Sequence, residues 1–518
     1  MPKIANAQVR WTSIRFRVLA ILLVALAGRT AVLCARYFLK DSATKSFHVE
    51  TGAFWFVIVA VVLAVTRTTN SPEAHCARPR RAVGEYALWL LGSAALYWPA
   101  LTVGLLSDDF LLADRAFRFA LGSFNSEAFR PLPLAVWGLI LHLGGGPVAL
   151  HALNIFLHGT NAFLTTRVAE PFAHSRRAGV LAGLIVVSMP ILVEPVVWCS
   201  GVFDVAATTF VLLAVLTSRA YERDGWTQRA GFFACSIAGL LSKETAVVLP
   251  VLVAIDAWLR RSPSRGLHRD IALVLCGMGV IGAIRFAFAS ADVKRPISKY
   301  LLQRWVFGTA GGLAAPWHAD VVAAHPWLPI TFAWIIIALL ARFSLRMSGN
   351  CSRLFFYAMA AWALVGTAPV ITFLFVGPDL QSSRYLYLAT IGWAGLLVAM
   401  VEWNRIGTID HGASILAATA LVALGVYGVH EHIATWRAAA STRDTFEQVA
   451  ARDSRLLLCQ TIAIQDAPDS VKGAYVLRNG AVAALKRDIG LPLRTGTPAP
   501  SCSFTWDSRT ETFRRSGQ

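Results

Sequence analysis

Leu105-Leu106-Ser107-Asp108-Asp109-Phe110 is the stretch around which this chain is organised. Two adjacent carboxylates directly follow an apolar run, and acidic side chains are costly to place close to the hydrocarbon of a bilayer. One interpretation is a solvated loop that happens to contain two acids. The other is a functional acidic pair at a membrane face, and the rest of the chain has to decide between them.

The composition is that of a polytopic membrane protein. Of the 518 residues, 56% are hydrophobic and 15% are charged, whereas about a quarter of the residues of a soluble domain are charged. The net charge of +18 would suggest nucleic acid as the partner of a soluble chain. Here the basic residues fall mostly in short loops between apolar segments, where they set the orientation in the membrane. We therefore expect a lipid bilayer and no nucleic acid as partner.

Apolar windows near twenty residues predict an all-α bundle of roughly thirteen membrane spans. The predicted spans are 18–38 (taken as uncleaved), 52–66, 86–106, 149–168, 178–196, 205–220, a short helical hairpin over 230–259, 270–289, 327–341, 354–375, 385–402 and 412–429. Residues 131–146 are apolar but too short to cross comfortably. We expect them to lie flat on the outer face as a juxtamembrane helix, because a crossing there would leave Arg176 and Arg177 outside.

The distribution of basic residues predicts the orientation. Lys and Arg are more frequent in the segments assigned to the cytoplasm than in the outer loops, although the outer loops include the two longest connections. This asymmetry predicts a multi-pass protein of the inner (plasma) membrane with a cytoplasmic N-terminus. The loop of Asp108 and Asp109 and the C-terminal tail are then expected on the periplasmic side.

The C-terminal part differs in kind from the predicted membrane domain of residues 1–429, whose first large outer loop covers 107–148. Residues 430–518 are polar and contain strand-like runs, Leu456-Leu457-Leu458 and Ala474-Tyr475-Val476-Leu477, with Asn479-Gly480 as a turn signal. They predict a small extracytoplasmic α/β domain. Cys459 and Cys502 are its only cysteines, and in an oxidising compartment we expect them to form a disulfide; two buried free thiols are the alternative.

Charged residues close to the predicted spans gather on the predicted outer face. They are Asp108, Asp109, Arg130, Glu194, Asp204, Lys243, Glu244, Arg285 and Arg384. Residues that are scattered in the sequence but converge on one face are typical of a site built from loops. Each also has a structural interpretation: Arg130 and Arg285 can snorkel to the interface, and Glu194 and Asp204 can pair with basic residues to tie loops together.

A family resemblance rests on motifs that follow the acidic pair in order. They are Phe129-Arg130-Pro131-Leu132, Pro147, His151-Ala152-Leu153-Asn154-Ile155-Phe156-Leu157-His158, Glu194-Pro195-Val196 with Asp204, Leu241-Ser242-Lys243-Glu244, and Ser383-Arg384-Tyr385-Leu386-Tyr387-Leu388. Their order and spacing resemble those of the transmembrane-and-tetratricopeptide O-mannosyltransferases and their bacterial relatives. The resemblance implies the GT-C glycosyltransferase fold, an extracytoplasmic active site, a polyprenyl-phosphate sugar donor, and a protein, glycan or lipid acceptor outside the cytoplasm.

Carried over by residue, the resemblance implies that Asp108 is the catalytic base, with Asp109 beside it orienting the acceptor or a metal. Lys243 and Arg384 would face the donor phosphate. The donor or acceptor groove would be lined by Arg130, His151, Asn154, His158, Glu194, Asp204, Glu244, Tyr385 and Tyr387. These residue types suit the reaction, because a carboxylate can accept the acceptor's proton and cations can stabilise the departing phosphate.

Three questions stay open at this stage. The tail shows no helical repeats of about thirty-four residues, unlike the eukaryotic members, which leaves the acceptor and mannose itself open. His151 and His158 can share a helix face, which could suggest a metal site, but helix packing is the favoured interpretation and no metal ligand is predicted. A divalent metal at the acidic pair is the one cofactor left open. A transporter or flippase of a lipid-linked glycan is the alternative function, although the charges cluster at one face and no inverted repeat is visible. A non-catalytic scaffold would leave the charged set unexplained.

Overall fold

The computed structural model describes residues 79–120, 129–173, 175–220, 225–260, 265–288, 350–370, 379–403, 411–459, 461–490 and 502–515, together with the single residues 335 and 376. The chain divides into two compact units, Met1–Ala95 and Leu96–Gln518. The predicted spans 18–38 and 52–66, and all of 327–341 except residue 335, lie outside the described residues.

The described part of the chain is mostly helical, with a few strands near the C-terminus. The helices are α1 (Pro79–Tyr97), α2 (Asp109–Phe117), α3 (Pro131–His142), α4 (Pro147–Ala173), α5 (Arg176–Val187), α6 (Val193–Val197), α7 (Val202–Ala220), α8 (Gly225–Ser242), α9 (Leu249–Leu259), α10 (Arg265–Phe288), α11 (Asn350–Thr367), α12 (Tyr387–Trp403), α13 (His411–Arg452), α14 (Ser454–Leu457) and α15 (Ala481–Asp488). Short 3-10 segments include Trp98–Thr102, Pro190–Leu192, Cys199–Gly201, Glu244–Val248 and Ser383–Leu386.

Some of the described helices are long and apolar enough to cross a membrane. Three qualify by length and composition among the described residues: Cys199–Arg219, Ser383–Val401 and Ile415–Arg452. A fourth is added if Arg176–Val187 and Pro190–Val197, bent by 56°, form one broken span. Pro190 accounts for the break, because proline removes a backbone donor from the helix. The count of thirteen spans is not confirmed and stays a prediction.

Two local expectations agree with the described helices. Helix α3 has 12 residues, so it is about 18 Å long, which is too short for a hydrocarbon core of about 30 Å. It ends where Gly144 adopts a φ of +82°, a conformation that glycine takes without strain. The predicted interruption of the hairpin is also present, since α8 ends at Ser242 and Lys243 leads into the 3-10 segment before α9; we keep the name α8–α9 hairpin for these two helices and the turn between them.

The core of the larger unit lies around α4, α5 and α7. Helix α4 packs against α5 and α7, α7 packs against α8, and α11 packs against α12. The part of the chain from Ala178 to Thr208 is buried throughout. Gly201 permits the tight connection into α7, since a Cβ there would lie 2.1 Å from the Pro195 carbonyl oxygen. This close packing holds the 3-10 segment of residues 199–201 beside residues 103–108, which precede α2 and are called the acidic loop below.

Helix α13 carries the chain from the membrane region into the tail without a break. The domain boundary predicted between residues 429 and 430 falls inside it and stays a prediction. The tail holds a three-stranded sheet in the order β1 (Ile462–Gln465), β4 (Cys502–Asp507), β5 (Thr512–Arg515), with β1 and β4 parallel and β4 and β5 antiparallel. Strands β2 (Ser470–Val471) and β3 (Ala474–Tyr475) form a separate antiparallel pair. Phe446 of α13 contacts Trp506 and Phe513 of the sheet, so the helix completes the small core.

The tail both confirms and corrects the sequence analysis. Cys459 and Cys502 are joined in a disulfide with their Cα atoms 6.0 Å apart, as predicted. The interpretation of Leu456-Leu457-Leu458 as strand-like is wrong, because α14 occupies Ser454–Leu457. There the side chain of Asp453 accepts a hydrogen bond from the Arg455 amide and caps a helical turn. Asn479-Gly480 is a turn, as predicted, but it leads into helix α15 and not into a strand.

Candidate active site

The carboxylate of Asp109 is fully buried at the start of α2. Its Oδ2 accepts a hydrogen bond from the Leu106 amide at 3.0 Å, and its Oδ1 accepts one from the Ser200 amide at 2.8 Å. The Ser200 hydroxyl also donates to Oδ1. Burial raises the pKa of Asp109 from 3.8 to about 7, although these hydrogen bonds act in the opposite direction. Asp109 therefore ties the acidic loop to the segment of residues 199–201.

The loop before the acidic pair is held on two further sides. The indole nitrogen of Trp198 donates to the Leu106 carbonyl oxygen at 3.1 Å. Arg443 of α13 donates to the Leu105 carbonyl oxygen at 2.7 Å. Ser107 then adopts a φ of +51°, which turns the chain into α2. A loop restrained by a buried tryptophan and an arginine is suited to holding a reactive group in one position.

Asp108 has a different environment from its neighbour. Its side chain is half-buried, and its Oδ1 accepts a hydrogen bond from the side-chain amide of Asn479 in the tail at 2.8 Å. The amide of Ser107 donates to the Val476 carbonyl oxygen at 2.7 Å. The two acids thus differ: Asp109 is enclosed by the protein, whereas Asp108 is partly open to the surroundings beside the tail.

Lys243 and Asp204 form a buried ion pair. The ammonium group lies 2.6 Å from each carboxylate oxygen, and the two side chains are 3% and 4% exposed. The lysine predicted to contact the donor phosphate is therefore already neutralised by a carboxylate in this conformation.

Arg384 lies among aromatic rings and a second carboxylate. Its guanidinium forms an ion pair with Glu194 and donates to the Tyr475 hydroxyl at 2.8 Å. Its Cζ atom lies 4.8 Å from the Trp198 ring centroid and 4.7 Å from the Tyr385 ring centroid. Stacking of this kind suits the planar guanidinium. With a side chain that is 16% exposed, Arg384 is more accessible than Lys243.

A third ion pair joins Arg130 and Glu244. Arg130 donates to both carboxylate oxygens, at 3.1 and 2.6 Å, in the paired geometry that an arginine fork allows. Its Cζ atom also lies 5.2 Å from the Phe203 ring centroid. The pair connects the start of α3 with the turn of the α8–α9 hairpin. Arg130 thus has a protein carboxylate as its partner, and the snorkelling interpretation stays a prediction.

The three ion pairs form one charged cluster of residues Arg130, Glu194, Asp204, Lys243, Glu244 and Arg384. The ring of Tyr385 connects two of the pairs, because the Lys243 ammonium lies 4.8 Å from its centroid and the Arg384 guanidinium 4.7 Å. Trp198 connects the cluster to the acidic loop, since it stacks on Arg384 and donates to Leu106. The structure thus links the charged cluster to the acidic loop through the side chain of Trp198.

The remaining predicted site residues point into the helix bundle. His151 contacts the Gly104 carbonyl oxygen at 3.0 Å, and Asn154 donates to the Trp198 carbonyl oxygen at 2.8 Å. His158 contacts the Tyr387 hydroxyl at 2.7 Å. All four side chains are buried with protein partners. Their geometry matches helix packing, and a groove-lining role for His151, Asn154, His158 and Tyr387 stays a prediction.

Three of the four carboxylate oxygens of the acidic pair accept hydrogen bonds from the protein. Both oxygens of Asp109 accept hydrogen bonds from Leu106 or Ser200, and Oδ1 of Asp108 is taken by Asn479. Among the residues that the structure describes, no group of three or more His, Cys, Asp or Glu side chains is placed to hold a metal ion. A divalent metal at the acidic pair stays a prediction.

Sequence reasoning missed several residues that hold this site together. They are Trp198, Ser200, Arg443, Tyr475 and Asn479. Trp198 and Ser200 follow the quoted Glu194-Pro195-Val196 motif directly, so proximity in sequence was an available signal. The sequence predicts Asn479 as a turn residue and Tyr475 as part of a strand, and nothing local indicates that either lies beside the acidic loop.

Comparison with known proteins confirms the resemblance that the motifs indicated. The chain is 30% identical over 145 residues to the protein O-mannosyl-transferase TMTC2 of Mus musculus, and equally to that of Homo sapiens. Each match covers 26% of this chain and 17% of the relative. The chain therefore matches only a small part of the length of these curated relatives. No family model matches the sequence.

Two solved structures are similar in outline. The crystal structure of ArnT from Cupriavidus metallidurans bound to undecaprenyl phosphate has a TM-score of 0.44 and 12% sequence identity. The same protein in the apo state has a TM-score of 0.42 and 16% identity. In both cases the likeness covers 83% of this chain and 94% of the other.

Proposed function

We propose that this protein is a membrane glycosyltransferase with a GT-C-like fold. It transfers a sugar from a polyprenyl-phosphate donor to an acceptor on the extracytoplasmic face. The observation that carries the proposal is the connection of the acidic loop to the charged cluster through Trp198, which lies 4.8 Å from Arg384 and 3.1 Å from the Leu106 carbonyl oxygen. One site thus offers a carboxylate for the acceptor and cations for the leaving phosphate.

Asp108 is the proposed base. The acceptor hydroxyl attacks the anomeric carbon of the donor, the carbon–oxygen bond to the phosphate breaks, and the hydroxyl proton passes to Asp108. Asp108 suits this role because it is only half-buried and can meet an incoming acceptor. Asp109 holds the loop through Leu106 and Ser200, so its effect on the reaction is one of position.

The departing polyprenyl phosphate carries the negative charge that the reaction releases. Arg384 is the proposed first contact, since its guanidinium can bind phosphate through two nitrogens and is the more exposed of the two cations. In the described conformation Arg384 is paired with Glu194, and Lys243 is paired with Asp204. Donor binding therefore has to compete with these carboxylates, which makes the cation site selective for a phosphate that brings additional binding energy from its lipid.

The partial similarity to TMTC2 supports sugar transfer as the reaction class. It does not extend to the sugar or the acceptor, because the matched stretch covers 17% of each relative. The proposed acceptor is a protein, a glycan or a lipid. A divalent metal is not required by the proposed chemistry, and transfer measured after chelation of metals tests that point.

The proposal includes an orientation. The exposed residues Asp114 and Ser470 are placed on the periplasmic side of the inner membrane, and Arg269 on the cytoplasmic side. Single cysteine substitutions at these positions test it with a reagent that does not cross membranes. Labelling of Asp114→Cys or Ser470→Cys only from the cytoplasmic side would reject the orientation.

The decisive experiment compares a strain that lacks the protein with its parent. Loss of one glycan modification, together with accumulation of a polyprenyl-phosphate sugar, identifies product and donor at once. Purified protein in detergent with a radiolabelled donor then tests transfer directly. A transporter or flippase would leave the donor chemically unchanged and would move it between leaflets of a vesicle, so unchanged donor in both assays would favour that alternative.

A further inference from the structure

One segment of the tail contacts both halves of the proposed site. We call residues 475–480 the capping segment. At its start the Tyr475 hydroxyl accepts a hydrogen bond from Arg384 at 2.8 Å. Near its end the Asn479 amide donates to Asp108 at 2.8 Å. Between them the Val476 carbonyl oxygen accepts a hydrogen bond from the Ser107 amide at 2.7 Å.

The end of the capping segment is packed directly against the acidic loop. A Cβ atom added at Gly480 would lie 2.1 Å from the Ser107 carbonyl oxygen and 2.9 Å from the Ser107 carbonyl carbon. Distances this short require one backbone to move. Glycine at position 480 thus allows an approach that no other residue could make.

The capping segment is itself fixed within the tail. The amide of Val476 donates to the Asp469 carbonyl oxygen at 3.0 Å, and the amide of Leu477 donates to the Pro468 carbonyl oxygen at 2.9 Å. Both Val476 and Leu477 are fully buried. The Tyr475 ring also lies 4.8 Å from the Trp198 ring. The segment is therefore held in place by hydrogen bonds and packing, and its side chains can position the groups that they contact.

We propose that the capping segment is a working part of the active site, an inference that rests on the proposed glycosyltransferase function. Asn479 is a positioning residue for the base: it occupies Oδ1 of Asp108 and so assigns Oδ2 to the acceptor's proton. Tyr475 is a positioning residue for Arg384, since it holds the guanidinium against Trp198 and toward the donor phosphate. The tail thus sets the distance between the acceptor end and the donor end of the site.

The first test uses Gly480→Ala as a steric wedge. We expect faster hydrogen exchange in peptides containing Ser107 and a loss of about a hundredfold in kcat per folded protein, because a displacement near 1 Å in a reacting group can cost that much. Gly92→Ala is the matched control, since a Cβ at Gly92 has nothing within 4 Å. Unchanged exchange at Ser107 in Gly480→Ala would overturn the proposal.

The second test separates positioning from general stabilisation and also covers the case in which Gly480→Ala does not fold. Tyr475→Phe should raise the KM for the donor about tenfold with little change in kcat, because it loses one hydrogen bond to a charged group. Asn479→Leu should lower kcat with the donor KM unchanged. Gln465→Leu, which alters an exposed amide elsewhere in the tail, is the control. If Gly480→Ala, Tyr475→Phe and Asn479→Leu lost activity only in proportion to their folded fraction, the capping segment would have a structural role alone.

Failure of this inference can be told apart from failure of the proposed function. If the wild-type protein transfers no sugar from any polyprenyl-phosphate donor, the function is rejected. The exchange of Ser107 in Gly480→Ala still decides whether the segment holds the loop, and the affinity of Tyr475→Phe for undecaprenyl phosphate alone still decides whether it positions Arg384. If the wild type transfers sugar, and Gly480→Ala and Tyr475→Phe have the same kcat and donor KM as the wild type, the function stands and the inference fails.

Discussion

Lys243 and Asp204 form an ion pair that is almost fully buried, with the ammonium group 2.6 Å from both carboxylate oxygens. Asp204 lies near the start of α7 and Lys243 at the turn of the α8–α9 hairpin, so the pair fastens the hairpin to the core. Breaking a buried pair by removing one partner leaves an uncompensated charge, whereas removing both can be neutral. The pair therefore allows the structural and functional roles of Lys243 to be measured separately.

Single and double substitutions of this pair should behave differently. We expect Lys243→Met or Asp204→Leu to lower the free energy of unfolding by about 3–5 kcal/mol, and the double variant to recover most of that loss. Thermal unfolding in detergent measures it. If Lys243 also contacts the donor phosphate, the double variant should fold and still use the donor poorly. Full transfer by the folded double variant would assign Lys243 to stability alone.

Asp108→Asn should abolish transfer without unfolding the protein. The amide can no longer accept the acceptor's proton, and the expected fall in kcat is about 10²–10⁴-fold. Folding should survive, because the side chain is half-buried and an amide oxygen can still accept the hydrogen bond from Asn479. Asp114→Asn, at an exposed position of α2, is the control and should be active. Near-normal transfer by Asp108→Asn would falsify its assignment as the base.

Arg384→Lys should weaken donor use although the charge is kept. Lysine lacks the planar fork that bridges Glu194, Tyr475 and the stacking rings, so we expect a higher KM for the donor. Kinetics at varied donor concentration measure it. Arg455→Lys makes the same change in an exposed arginine that pairs with Asp453, and should have no effect. An unaltered donor KM in Arg384→Lys would move the phosphate to other cations, such as Lys294, Arg295 or Lys299, which lie outside the described residues.

The stability of the protein should fall between about pH 4 and pH 7 through Asp109. Burial raises its pKa from 3.8 to about 7, so in this range the folded state binds the proton more tightly than the unfolded state. The contribution is fully present below the unfolded pKa and is lost as the pH rises toward 7, by at most about 1.4 kcal/mol per pH unit.

Melting temperatures of Asp109→Asn across this range check the assignment. We expect a flatter pH dependence than in the wild type, whatever the change in absolute stability. If the slope is unchanged in Asp109→Asn, the pH dependence arises from another group.

The disulfide between Cys459 and Cys502 should stabilise the tail and, through it, the site. The bridge joins residues 43 apart, for which the chain-entropy model gives about 3–4 kcal/mol. We expect Cys459→Ser/Cys502→Ser to lower the melting temperature and to increase hydrogen exchange in the capping segment. Cys276→Ser, at an exposed free cysteine, is the control. Peptide mapping of the unreduced protein that finds two free thiols at positions 459 and 502 would contradict the bridge.

Local sequence patterns determined the class of this protein and several of its elements. The mainly apolar stretch at residues 205–220 predicted a membrane-spanning helix, and α7 covers it. The interruption at Ser242-Lys243-Glu244 predicted the hairpin, and proline and glycine predicted the short helix after Arg130. The disulfide followed because the tail has only two cysteines. All of these depend on neighbours in the chain or on composition, which the sequence displays directly.

The tertiary structure alone decided which charges are partners and what surrounds the acidic pair. Glu194 meets Arg384 across 190 positions, and Asn479 meets Asp108 across 371. Periodicity and propensity carry no information about such pairs, because the partners depend on which helices pack together. Leu456-Leu457-Leu458 resembled a strand because its apolar side chains satisfy either element, and the capping hydrogen bond from the Arg455 amide to Asp453 favours the helix.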